Sequence, residues 1–206
     1  KKEDLIKKQE VIVVLTKEDY VKRLPLSEFK NQKRGGRGIN ATRFKEGDEA
    51  KLLCKAHTHD VLLCFSTYGK VYAIRVFDLP DPSRQARGRP INNVLPLKND
   101  EQISTFVVIK SFDEEGYLFF STKLGMINKI SISLFKKIRN TGLKAISLKP
   151  KDELLGALYT SGKNKIMLVA DNGKAIKFVE TDIRGRFRGT LGVKGINLPP
   201  SVKLRS

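Results

Sequence analysis

Acidic residues are scarce in this chain. Asp and Glu number 22 against 40 Lys and Arg over 206 residues, a formal net charge of +18. That imbalance argues against ordinary small-metabolite enzymology. It favours a polyanionic partner, nucleic acid ahead of an acidic membrane surface. Long apolar runs are missing as well. The longest, such as Val11 to Leu15 and Val61 to Phe65, have five residues, too few for a membrane-spanning helix. Cysteine is limited to Cys54 and Cys64, which excludes a disulfide framework. The chain opens on charged residues rather than a signal peptide, so a reducing cytosol is the expected setting. Helical periodicity is weak throughout; residues 131–139 have room for one or two turns. Apolar residues cluster in short runs, which argues against disorder.

What is present is a repeat. Four segments, Val11 to Leu24, Val61 to Ile74, Tyr117 to Ile130 and Ile166 to Phe178, each hold an apolar run, a short polar turn and a second β-rich run. These read as β-hairpins. Their turn residues Asp19, Gly69, Gly125 and Gly173 are spaced by 50, 56 and 48 residues. Each hairpin leads to a Gly- and Arg-rich tail with an isoleucine: 35–39, 88–91, 142–146 and 192–196. Further strands are expected over Lys51 to Ala56, Ile103 to Ile109 and Glu153 to Tyr159. The expected fold is therefore all-β and propeller-like, built of four-stranded blades of about 50 residues. A β-sandwich with chance similarity between hairpins is the competing reading. The match of all four units in both turn and tail argues against it. The expected domain runs over 5–198, with blades at about 5–50, 51–102, 103–152 and 153–198, and 199–206 set apart as a tail of uncertain origin. Four blades are few for ring closure, so an open ring, or blades beyond these residues, is expected.

The charge gathers in the tails. Windows 31–45, 82–98, 116–151 and 183–206 hold 23 basic and no acidic residues. In a radial array, equivalent positions line one rim, so the windows predict a curved basic stripe. Phosphate contacts of this kind are insensitive to base sequence. No zinc-finger spacing and no basic recognition helix is visible. Aromatics near the stripe are few (Phe44, Phe135 and Phe187), whereas single-strand binders need stacking platforms. Bent duplex DNA is the better match; elastic bending costs about 1–6 kcal/mol over a short site, which many cationic contacts can offset.

The sharpest motif is Gln32-Lys-Arg-Gly-Gly-Arg-Gly38. Its glycines let backbone N–H groups approach a phosphate, and Arg34 and Arg37 supply forked donors. With it, the chain resembles the C-terminal domain of bacterial DNA gyrase A. That family carries a box Gln-Arg-Arg-Gly-Gly-Arg/Lys-Gly, matched here except for Lys33, which keeps the charge. Tyr20 to Phe29, Thr58 to Asp60, Gly69 to Tyr72, Arg84 to Pro90 and Thr160 to Gly162 also look like the family. The resemblance implies a β-pinwheel, a propeller-like ring whose blades exchange strands. The family usually has six blades, so four here suggest a fragment or an incompletely observed domain. It implies a basic outer rim that bends and wraps duplex DNA with positive handedness. The wrap supports negative supercoiling, for which the box is required.

On this reading the DNA path takes in Gln32, Lys33, Arg34, Gly35, Gly36, Arg37, Gly38 and Arg43 on the first unit. It continues through Arg84, Arg87 and Arg89 on the second and Lys136, Lys137 and Arg139 on the third. Arg184, Arg186, Arg188 and Lys194 follow on the fourth. The resemblance also implies a non-catalytic domain without a cofactor, since ATP and magnesium act elsewhere in an A2B2 holoenzyme of gyrase A and gyrase B. The isolated domain would be a monomer, cytoplasmic and nucleoid-associated, with no membrane partner. The related topoisomerase IV domain is the near alternative; its box is usually degenerate. A protein-binding propeller and an RNA-binding module are the alternatives from other classes. Cys54, His57, His59 and Cys64 invite a zinc reading, but their spacing fits no closed zinc template. None of the five tyrosines reads as a nucleophile.

Overall fold

The computed structural model describes residues 2–27, 48–81 and 87–206. Strands dominate. The first hairpin is β1 (Glu10–Thr16) and β2 (Tyr20–Pro25), followed by β3 (Ala50–His57). The second is β4 (Val61–Ser66) and β5 (Lys70–Arg75), followed by β6 (Arg89–Pro90) and β7 (Ile103–Ile109). The third is β8 (Tyr117–Thr122) and β9 (Met126–Ser131), followed by β10 (Leu143–Lys144) and β11 (Leu154–Thr160). The fourth is β12 (Lys165–Val169) and β13 (Ala175–Val179), followed by β14 (Val193–Lys194). The helical potential at 131–139 is spent on one 3-10 turn, Ile132–Phe135.

The described residues fall into two compact units. One holds 2–27, 48–62, 74–81, 87–96 and 108–110; the other holds 63–73, 97–107 and 111–206. The first contains a sheet of order β3-β1-β2-β6. β1 is an unbroken apolar run, and Val11 to Leu15 are buried on both faces, as expected for a strand covered on each side. Ile12, Val14 and Leu24 form a cluster there. The sheet of order β10-β5-β4-β7 lies largely in the second unit, which also holds β11-β8-β9-β14 and the two-stranded β12-β13. Four strands per blade are thus met in three sheets. In the second unit Phe120 meets Phe65 edge-on at 5.3 Å and Phe135 at 6.4 Å. Phe119, Ile127, Ile166, Leu168, Ile196 and Leu204 form a further core.

All four hairpins close alike. The N–H of Asp19, Gly69, Gly125 and Gly173 donates to the carbonyl three residues earlier, each at 3.0 Å. All four residues have left-handed φ, from 61° to 82°, the geometry of a three-residue hairpin loop.

Two further devices recur. A residue just past the first strand of each hairpin donates to the start of an outer segment: Lys17 to Glu49, Thr67 to Gln102, Lys123 to Glu153 and Asp171 to Lys203, at 2.8–2.9 Å. Residues 203–206, set apart in sequence as a tail, thereby join the fourth hairpin; Leu204 also bridges Ala170.

The second device is strand exchange. β6 pairs with β2, β10 with β5 and β14 with β9, so the tail of each repeat completes the sheet of the repeat before it. A left-handed glycine makes the close approach possible. A Cβ on Gly192 would collide with the Ile127 carbonyl oxygen, and one on Gly142 would lie 2.6 Å from the Tyr72 ring. Tyr72 is buried and donates to both Glu101 carboxylate oxygens at 3.0 Å.

Candidate nucleic-acid interface

The exchanged tails carry the basic residues, and the local fold explains their display. Each two-residue strand is anchored by backbone pairing and contributes an exposed residue. Lys144 and Lys194 occupy the same register position, opposite Lys70 and Met126, and both are exposed. Lys194 belongs to the path expected from sequence. Lys144 does not, although its place after a tail glycine, like that of Lys194, is a signal for it.

In the second unit the third and fourth tails run alongside each other. Gly189 N–H donates to the Ala145 carbonyl at 2.7 Å and Ser147 N–H to the Thr190 carbonyl at 3.0 Å. Ser147 Oγ donates to the Gly189 carbonyl at 2.6 Å. Asn128 Nδ2 donates to Thr190 at its carbonyl, 3.1 Å, and at its Oγ1, 3.0 Å. Arg184, Arg186 and Arg188 are all exposed on this strap. Arg186 N–H donates to the Lys129 carbonyl at 2.8 Å. Among the described residues none of the three arginines forms an ion pair, so their guanidinium groups are available to phosphate.

Lys136, Lys137 and Arg139 follow the 3-10 turn whose Phe135 is fully buried, and all three are exposed. Phe135 is thus core rather than part of the stripe. Lys136 Nζ lies 2.5 Å from Asp113 Oδ1. That ion pair holds the Asp113 carboxyl below its ordinary range, through the hydrogen bond and the lysine's charge.

In the first unit Arg87 is exposed, stacked over the Tyr20 ring at 4.6 Å and 3.8 Å from Glu18. Arg89 is exposed on β6 opposite Val21. Gln32 to Gly38, Arg43 and Arg84 lie outside the described residues.

Burial trims the stripe. Lys129, inside the third acid-free window, is only 6% exposed. Its Nζ donates to the Glu180 carbonyl at 2.9 Å and sits over the Tyr117 ring. Lys123 is taken by Glu153 at 2.6 Å.

The Cys–His cluster is used locally. His57 N–H donates to Asp60 Oδ2 at 2.7 Å, and His59 Nε2 lies 2.9 Å from the Ile6 carbonyl. Cys64 is buried, and burial pushes the Cys54 thiol up to about 12. Tyr159 Oη donates to the Glu115 carbonyl at 2.6 Å.

Small antiparallel sheets built on one repeated hairpin plan mark the chain as a propeller-type repeat protein. The sequence pattern of the DNA gyrase C-terminal domain, a beta-propeller, matches residues 10–50, 60–110, 116–161 and 164–206, one match per repeat. The chain belongs to this family. It is 43% identical to the DNA gyrase A protein of Escherichia coli (strain K12) over 204 residues, 99% of this chain and 23% of that one. It is 47% identical to the DNA gyrase A protein of Aeromonas salmonicida over 178 residues, 86% of this chain and 19% of that one. The chain therefore spans about a fifth to a quarter of the relatives it matches. Among solved structures, a DNA gyrase A C-terminal domain superposes with a TM-score of 0.78 at 29% identity, covering 96% of this chain and 64% of that one. The C-terminal domain of a DNA topoisomerase IV superposes with a TM-score of 0.75 at 31% identity, covering 98% and 61%.

Proposed function

We propose that this chain binds duplex DNA without reading its sequence, bends it and wraps it chirally on the exchanged tails, in support of negative supercoiling by gyrase. The observation that carries this reading is the strap at 184–194, with its exposed arginines free of ion pairs and its backbone locked to the neighbouring tail. Such a surface meets phosphates electrostatically. Positions fixed by backbone hydrogen bonds to the neighbouring tail let it impose a path on the duplex rather than follow one. The role is non-catalytic in itself. Cleavage, religation and ATP hydrolysis belong to the rest of an A2B2 holoenzyme acting on the nucleoid. The box at Gln32 to Gly38 favours supercoiling over the relaxing, decatenating role of a topoisomerase IV domain.

Titration of two duplexes of unrelated sequence over a range of salt tests binding. Both should bind about equally, with affinity falling steeply as salt rises. Replacing Arg184, Arg186 and Arg188 by alanine should weaken both alike and flatten the log–log salt slope by about 2–3, at roughly 0.9 per phosphate contact. Loss of affinity for one sequence only, or binding indifferent to salt, would contradict the reading and favour a protein partner.

A further inference from the structure

Phe187 stands between Arg186 and Arg188 with 75% of its surface exposed, the most exposed aromatic side chain among the described residues. Phe65, Phe119, Phe120 and Phe135 are all buried, so the fold has room for phenylalanine in its cores and does not use it for this one. Nor is the surrounding backbone loose. Arg186 is held to Lys129 by its N–H and forms a parallel bridge with Ile130. The Phe187 carbonyl accepts the Thr190 hydroxyl at 2.7 Å. Gly189 closes the turn onto Ala145 and Ser147. The strap thus holds an apolar ring in water between two free cations.

We infer that Phe187 is a groove contact for duplex DNA. Arg186 and Arg188 take phosphates, and the ring that separates them in the chain packs against the apolar sugar walls of the minor groove. This rests on the duplex-binding reading above. The chain turns at Arg188 and Gly189, so the three side chains are not held to alternate faces as they would be on an extended strand, and a minor groove about 6 Å wide admits a single ring. Sugar walls are the same for every base pair, so the contact adds affinity without sequence preference.

Two other modes fit less well. A ring wedged into a base step opens the groove facing the protein and kinks the duplex away from it, opposite to a wrap. A single-strand platform stacks successive bases on several aromatics, and no second exposed aromatic lies on this strap.

Salt separates an apolar contact from an ionic one. With these 206 residues and a mixed-sequence duplex, Phe187→Ala should lower affinity about 5-fold by the same factor at every salt concentration. Its log–log slope should stay that of the parent. Arg186→Ala and Arg188→Ala should each lower the slope by about 0.9. Phe187→Leu, which keeps apolar bulk without an aromatic face, should restore most of the affinity. Parental affinity in Phe187→Ala would overturn the inference. So would a loss confined to single-stranded DNA that leucine does not rescue, or a rise in 2-aminopurine fluorescence that marks an unstacked step. A parent chain that binds duplex DNA without salt dependence would fail the duplex reading itself. Steep parental binding with an unaffected Phe187→Ala would fail the groove contact alone.

Discussion

In the third sheet five of the six β9 residues are buried, whereas in the fourth sheet no residue of β13 is. The two hairpins share the same turn and the same hydrogen bond across it, and each first strand meets an outer segment, β11 along the length of β8 and residues 203–206 only at the end of β12. They differ most in what lies against the second strand. On β9 it is β14, with Gly192 seated on the Ile127 carbonyl and Asn128 bonded to Thr190. Among the described residues no equivalent strand covers β13. A repeat of this kind does not bury its own hairpin; the tail of the following repeat does. Packing and charge therefore travel on one segment. Glycine and apolar positions of the tail face the preceding sheet, while Lys144, Lys194 and the strap arginines remain in solvent.

The sharpest way to break this comparison is to empty the third hairpin. Phe120→Ala removes a fully buried ring, in contact with two others, and should cost about 3–5 kcal/mol in denaturant unfolding. Met167→Ala on the exposed face of β12 should stay within about 0.5 kcal/mol. Equal losses would mean that the two sheets are covered alike.

Next come the glycines. Gly192 and Gly173 have nearly the same left-handed φ, 81° and 82°, but a Cβ on Gly173 would meet nothing within 4 Å. Gly192→Ala should cost about 3 kcal/mol or more, through collision as well as backbone strain. Gly173→Ala should lose only the strain, about 1–2 kcal/mol. Similar losses would remove the close approach from the explanation.

A smaller effect is expected beneath the tail glycine of the second sheet. Tyr72→Phe deprives the buried Glu101 of a donor and should cost about 1–3 kcal/mol. Burial, then the hydrogen bond and charge of Glu101, push the Tyr72 phenol above its ordinary value. A raised folded-state value stabilises the fold fully below the unfolded phenol value, about 10. That stabilisation is lost as pH climbs through the folded one. The parent should therefore lose stability more steeply than Tyr72→Phe above about pH 10. Parallel alkaline profiles would contradict the shift.

The smallest effect belongs to the surface. Asp113→Asn should leave thermal stability unchanged while freeing Lys136. Duplex affinity should then rise at low salt, and the gain should fade as salt screens it. A thermal shift without an affinity change would make the ion pair structural.

The hairpins are legible in the sequence because their turns demand a left-handed residue, and Asp19, Gly69, Gly125 and Gly173 mark it between apolar runs. The outer strands at 103–109 and 154–160 are legible for the same reason of composition. The exchanged strands β6, β10 and β14 are not, because two residues carry no period and are strands only by virtue of a partner elsewhere in the chain. Charge windows reveal where cations gather but not which are exposed. Lys129 lies in a basic window yet is buried against Tyr117, and Phe135 follows the same stretch into the core. Phe187 looks no different from Phe135 in sequence; only the strap's hydrogen bonds distinguish them.

Chiral wrapping is tested most directly by topology. The chain is bound to relaxed closed-circular plasmid, a type I topoisomerase relaxes the unbound DNA, the protein is stripped, and the linking number is read. A positive shift that disappears when Lys33, Arg34 and Arg37 are replaced by alanine is the predicted result. Salt-sensitive binding that leaves the linking number unchanged would contradict wrapping by this chain and leave a surface that holds DNA without shaping it.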